Sequence, residues 1–321
     1  MANRVLEMTT PTRWAVALDV GGTEVRSALV NDHGDLGPGW PRSTPVDTKG
    51  PAESILGSLA DCLRLPLERA AANGLTPVGI GVAMPGPFDY TRGISLIRGL
   101  DKFEAIYGLN VREELRRLLR LGEAFPIRFQ VDAWMFVLGE VWRGEAQGFS
   151  RAIGVTLGTG LGSGFFADGR FVKEGPRIPW YGWVGSLPFG GGILDDRVSR
   201  RGILARYAEL GGDAFPAADV AQIAARALEG EELASRVFAE TGAILGETLR
   251  PTAEAFGAEV LVLGGRIARA FSLFSAPLAE QLRAVATLRK IAQTREYEIS
   301  SLRGAAQLVF EDFPGALARE D

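Results

Sequence analysis

Apolar residues along the chain gather into short runs that end in glycine, separated by longer stretches where they recur every three or four positions. Trp14-Ala15-Val16-Ala17-Leu18-Asp19-Val20 predicts a buried strand, closed by the tight turn Gly21-Gly22-Thr23. Residues 24–30 alternate charged or small residues with apolar ones and predict a second strand. Ile55, Leu56, Leu59, Leu63 and Leu67 lie at helical spacing within a helix over about 52–72. A short apolar strand at 78–84 runs into Pro85-Gly86-Pro87. An amphipathic helix at 111–121 leads to a strand at 127–131, and Asp132 stands between that strand and an apolar helix at 133–142. A strand at 152–157, the turn Gly158-Thr159-Gly160-Leu161-Gly162 and a strand at 163–167 follow. From 195 to 257 the pattern is mostly helical. A last clear strand, 259–263, meets Gly264-Gly265 and another helix. Alternating strands and helices predict an α/β fold.

The opening strand–Asp-x-Gly-Gly-Thr–strand unit has a faint echo in strand–Leu-Gly-Thr-Gly–strand. Two similar halves, each opening with a glycine-threonine hairpin, would face each other across a cleft. The expected division puts a smaller α/β domain at 1–131 and a larger one at 132–304, with a helix at about 305–321 packing back on the first. No Ser/Gly/Pro-rich linker marks the joint, so a strand-to-helix crossover is expected there. A chain of 321 residues, 46% of them hydrophobic, suits two domains of ordinary size.

Composition narrows the chemistry. Cys62 is the only cysteine and His33 the only histidine, so neither a cysteine-cluster zinc site nor a two-histidine metal site can form. His33 lies among turn formers, which argues against a serine–histidine–aspartate triad, and any general base is expected to be a carboxylate. A net charge of −4 gives no global attraction to nucleic acid or an anionic membrane. No run approaches the roughly 20 apolar residues of a membrane helix, and residues 1–10 lack the apolar core of a signal peptide, so a cytoplasmic protein is expected. Glycine occurs 41 times, about twice its usual share of ~7%, concentrated at turns after apolar runs.

Such turns can cradle phosphates, because glycine lets backbone N–H groups approach an anion. Gly21, Gly22 and Thr23 form one candidate cradle, and Gly158, Thr159 and Gly160 another. Asp19, just before the first turn, could hold magnesium through water. Each unit taken singly also reads as a plain hairpin. Gly264 and Gly265 join a buried strand to a helix start, which could border a nucleotide or serve tight packing. Asp132 is the candidate base and equally a favoured helix cap, two roles that can coexist at the mouth of an α/β fold. The arginine stripe Arg112, Arg116, Arg117 and Arg120 reads as a solvated helix face.

Taken in order, Asp19-Val20-Gly21-Gly22-Thr23, Asp132 before an apolar helix with Gly139-Glu140, the turn at 157–162, and Leu263-Gly264-Gly265 resemble the ROK family of bacterial sugar kinases and sugar-responsive repressors. The resemblance spans nearly the whole chain. It implies two actin-like, ribonuclease H-like domains, an ATP and magnesium requirement, a sugar substrate and a homodimer. By resemblance, Asp19 would orient magnesium, Gly21–Thr23 and Gly158–Gly160 would hold the ATP phosphates, and Gly264 and Gly265 would border the adenosine. Asp132 would take the proton from the attacking sugar hydroxyl. Repressors of the family place a helix-turn-helix ahead of the first hairpin. Only 18 residues precede Asp19, so the kinase branch is expected.

The acceptor side departs from the family pattern. Val131 stands where an asparagine usually precedes the base. The Gly-Glu-x-Gly-His motif reads Gly182-Trp183-Val184-Gly185-Ser186, and Pro188-Phe189-Gly190-Gly191-Gly192 replaces the cysteine-rich zinc loop, so no structural zinc is expected. Asp195 aligns with a later sugar-binding glutamate. Gly86, Asp101, Trp183, Ser186 and Asp195 are therefore the candidate substrate-binding residues, and a less polar sugar or other alcohol is the expected acceptor. A catalytically weak descendant that binds a sugar or nucleotide as a sensor is the competing reading.

Overall fold

The computed structural model describes residues 11–212 and 219–311. Two five-stranded sheets form its frame. The first contains β1 (Trp14–Val20), β2 (Glu24–Asn31), β3 (Arg42–Pro45), β4 (Ile80–Met84) and β5 (Ile127–Val131), in the order β3-β2-β1-β4-β5. The second contains β6 (Arg151–Leu157), β7 (Leu161–Ala167), β8 (Arg170–Phe171), β9 (Val260–Gly264) and β10 (Lys290–Gln293), in the order β8-β7-β6-β9-β10. Each sheet thus opens with an antiparallel hairpin and continues in parallel on the other side of its first strand. The echo in the sequence is a repeated topology.

Helices complete the layers. α1 (Ala52–Ala72) and α2 (Val111–Leu119) belong to the first half, and α3 (Asp132–Arg143) follows β5 without a break. α4 (Asp195–Val198), α5 (Arg200–Glu209), α6 (Val220–Leu228), α7 (Glu232–Phe256) and α8 (Phe271–Leu282) belong to the second. α9 (Ser300–Phe310) returns to β1 and β4 of the first sheet. The helix expected from about 305 therefore begins earlier, at Ser300, and residues 312–321 lie outside those described.

Side-chain size along each strand explains the layering. On β1, Val16, Leu18 and Val20 pack outward with Ile55, Leu59 and Leu63 of α1, whereas Ala15 and Ala17 look toward the second sheet. The inward face of β4 carries Gly81, where an added Cβ would lie 1.7 Å from the Ala305 carbonyl oxygen. On the second sheet, Gly154 and Gly264 make the same allowance for Val137 and Phe136 of α3. α3 and α9 then cross between the sheets with backbones almost touching. A Cβ at Gly139 would meet the Ser300 oxygen at 1.9 Å, and one at Gly304 the Met135 oxygen at 1.9 Å.

Several expectations change in detail. The hydrophobic pattern does not announce β3 and β10, since both are four-residue edge strands without fully buried positions. The arginine stripe of α2 is partly structural. Arg112 donates to the Ile127 carbonyl at 3.0 Å and lies over the Phe129 ring, and Arg116 donates to the Phe125 carbonyl at 3.4 Å. α3 starts one residue earlier than predicted, with Asp132 inside its first turn.

Candidate active site

The carboxyl ends of β1, β4 and β5 lie side by side. Asp19 pairs in register with Ala83, and Met84 with Val131, so Asp19 and Asp132 emerge at the same edge of the sheet. Asp19 shares the strand face of Ala15 and Ala17, which looks toward the second half. Across the hairpin it pairs with Arg26, and the Arg26 guanidinium lies 3.6 Å from its carboxylate. The Gly21 N–H donates to the Glu24 carbonyl at 3.0 Å, which closes the turn. An added Cβ at Gly22 would touch nothing within 4 Å, so one side of this turn is open.

These carboxylates are electrostatically strained. Burial pushes Asp19 up to about 6, against the pull of Arg26 and with further upward pressure from Asp132 and Glu24. Burial also raises Asp132, opposed by the Ala133 N–H, which donates to its Oδ1 at 2.8 Å, and by the charge of Lys102. Glu24 is held below the usual carboxylate range, chiefly by the Ser43 hydroxyl, with Arg26 and Arg266 adding to the effect. A site that concentrates half-buried negative charge in this way is suited to a cation and to proton acceptance.

The second half supplies two further turns. The Gly158 N–H donates to the Gly160 carbonyl at 3.0 Å, and the Arg200 N–H at the start of α5 donates to the Gly158 carbonyl at 2.9 Å. Asp195 braces this hairpin: the residue is buried, and its carboxylate accepts from the Leu161 N–H and from Arg201. Gly265 has φ +80°, and a Cβ there would lie 2.3 Å from the Leu157 carbonyl oxygen, so the Gly264-Gly265 turn rests on the end of β6. Beyond it, Arg266 donates to Glu24 of the first half at 2.8 Å.

The other candidate substrate residues have these positions. Gly86 precedes a cis Pro87 and faces the Tyr90 hydroxyl, which would lie 3.0 Å from an added Cβ. Asp101 is exposed and ion-paired with Lys49, and its N–H donates to Glu104 at 3.0 Å. The Trp183 indole N–H donates to the Leu161 carbonyl at 2.7 Å, and the ring lies over Gly185. Ser186 donates to the Trp183 carbonyl at 2.8 Å. Trp183 and Asp195 are thus joined to one residue, Leu161, at the second hairpin, whereas Asp101 lies on the side of the first half.

Sequence reasoning missed Arg26, Glu24, Lys102 and Arg266. Arg26 was only partly accessible: counting equally from a turn at Gly21-Gly22-Thr23 sets Asp19 opposite Val25, whereas the observed register pairs Val20 with Val25, lengthens the turn to Glu24 and sets Asp19 opposite Arg26. Lys102 leaves no such signal. It is half-buried between Asp101 and Phe103, which have φ of 55° and 56° and fix the loop in a shape no pattern announces.

Among the described residues no cluster of three or more His, Cys, Asp or Glu side chains could enclose a metal ion. Asp19 alone nonetheless fits magnesium, which commonly takes one carboxylate, water and substrate phosphates. Its raised affinity for protons reflects burial first and the nearby charge of Asp132 and Glu24 second, and a cation would offset both.

A family model described as ROK family matches residues 15–312, and the chain belongs to that family. It is 25% identical to a glucokinase of Halalkalibacterium halodurans, over 92% of this chain and 93% of that one. It is 27% identical to an N-acetyl-D-glucosamine kinase of Haemophilus influenzae, over 91% and 97%. A ROK family glucokinase from Streptomyces griseus, solved with glucose and AMPPNP, superimposes with a TM-score of 0.73 at 19% identity, covering 92% of this chain and 98% of that one. The fold is the two-domain, actin-like arrangement of these proteins.

Proposed function

We propose that this ROK-family chain is a sugar kinase that transfers the γ-phosphate of ATP to a hydroxyl of a sugar or sugar-like acceptor, with Asp132 as general base. The observation that carries the reading is that Asp19 and Asp132 emerge at the same edge of one sheet, on either side of β4, with the glycine turns of both halves linked through Arg266 and Glu24.

Asp132 would accept the proton of the acceptor hydroxyl as its oxygen attacks the γ-phosphorus. The Ala133 N–H, fixed on Oδ1 at 2.8 Å, orients the carboxylate. The turns at Gly21–Thr23 and Gly158–Gly160 would receive the donor phosphates on backbone N–H groups. Magnesium, when bound, would neutralise charge on those phosphates, and Asp19 is the residue to hold it, through water. Closure of the halves would exclude water, which competes with the sugar as nucleophile. The acceptor is less polar than glucose on the side that faces Val131 and Trp183. A homodimer in the cytoplasm completes the reading.

The test is ADP release with magnesium and ATP against a panel of neutral, deoxy and N-acetylated sugars, beside Asp132→Asn. Turnover of one sugar class, lost in the variant, supports the kinase and its base. Nucleotide binding without turnover on any sugar would overturn it in favour of a sensor.

A further inference from the structure

We propose that Arg266 is a donor-phosphate ligand, held ready in the nucleotide-free chain by Glu24 and released to the polyphosphate of ATP when it binds. The inference rests on the reading of the chain as an ATP-dependent kinase and adds to it a residue that the glycine turns do not contain.

Three contacts place Arg266. Its backbone follows Gly265, whose Cα packs against the Leu157 carbonyl at the mouth of the Gly158–Gly160 turn. Its guanidinium bonds Glu24, the residue immediately after Gly21-Gly22-Thr23, at 2.8 Å. Its charge also reaches Asp219, the carboxylate bonded by Arg200, whose own N–H caps Gly158. The side chain therefore spans the gap between the two phosphate cradles, bridging residues 242 positions apart.

The pair is built to exchange. The Arg266 side chain is 70% exposed, against 28% for Glu24, so the arginine is the mobile member. Exposed ion pairs contribute little, whereas a guanidinium on a phosphate gains charge-assisted, two-pronged hydrogen bonds. When Arg266 leaves, Glu24 keeps Arg26 and the Ser43 hydroxyl, at 2.6 Å, so no carboxylate is stranded. Arg26 is less able to serve, since Asp19 and Glu24 both engage it.

The experiment titrates wild type, Arg266→Ala and Arg266→Lys with ATP, ADP and AMP by calorimetry, at excess magnesium and fixed ionic strength. Arg266→Ala should weaken ATP about tenfold, ADP less and AMP within about twofold, with Arg266→Lys in between. In steady-state kinetics the KM for ATP should rise in Arg266→Ala while the KM for the sugar stays in place. An equal loss across the three nucleotides, or unchanged ATP affinity, would overturn the inference and leave Arg266 as a tether between the halves. Wild-type protein that binds none of the three would instead overturn the kinase reading beneath it. Circular dichroism on both variants confirms that the fold is intact.

Discussion

In the first half, the hairpin of β1 and β2 turns Asp19, Glu24 and Arg26 toward the second half; in the second, the matching face of β6 and β7 carries Gly154, Thr156, Gly162 and Gly164. The strand order is the same and the glycine turns are alike, yet the charge is on one side only. The second hairpin can offer a ligand backbone N–H groups and hydroxyls, and it leaves α3 room to lie close. In the proposed reading the first half would bind a cation and accept a proton, at a cost in burial that raises both Asp19 and Asp132, with neighbouring carboxylates adding to it at Asp19. A repeated scaffold thus supplies shape twice and chemistry once.

The largest test of this asymmetry is Asp132→Asn. It should lower kcat by about 10²–10⁴ while leaving nucleotide affinity in place. A variant that retained full turnover in the ADP-release assay would move the base elsewhere. The seam between the halves comes next. Gly304→Ala sets a methyl 1.9 Å from the Met135 carbonyl oxygen, against backbone on both sides, and should cost about 3 kcal/mol in urea unfolding. A cost below about 1 kcal/mol would mean that α3 and α9 can slide apart freely.

Asp19→Asn should do the reverse to stability. A carboxylate raised from 3.8 to about 6 stays protonated in the native chain where the unfolded chain has lost the proton. Stability therefore falls as pH rises from about 4 through 6. Asparagine removes that penalty, so the variant should be inactive yet more stable by about 2 kcal/mol at pH 7.5, an advantage that fades near pH 4. Urea unfolding at the two pH values reads it, and a constant difference would place the strain elsewhere. The smallest effect belongs to the neutral hairpin. Trp183→Phe loses the indole bond to the Leu161 carbonyl and should cost about 1 kcal/mol, read by thermal unfolding.

How much of this was legible in the sequence depends on the range over which each feature is determined. β1 and β5 are read at their observed bounds because they are buried runs with sharp ends at a glycine or a helix start. α1 is read over 52–72 because its apolar stripe is regular, even though Pro66 lies within it. β10 leaves no trace, since Lys290, Ile291, Ala292 and Gln293 are all half-buried and their partner strand is set by the fold. In the site, Asp19, Asp132 and the glycine turns stand out because turn chemistry and strand ends are local properties. The Glu24–Arg266 contact joins opposite ends of the sequence, and no local pattern could announce it. Gly264 had two readings, and the structure gives it a packing reason: a Cβ would lie 2.5 Å from the Phe136 ring.

The return of α9 to the first sheet has a consequence for synthesis of the protein. Ala15, Ala17 and Ala83 stay uncovered on one side until residues 300–310 have left the ribosome, so the domain begun first is completed last. The second half, with its core between 153 and 285, can form around its own contacts before then. Nascent chains released short of residue 300 would expose the alanine- and glycine-lined face to chaperones and proteases.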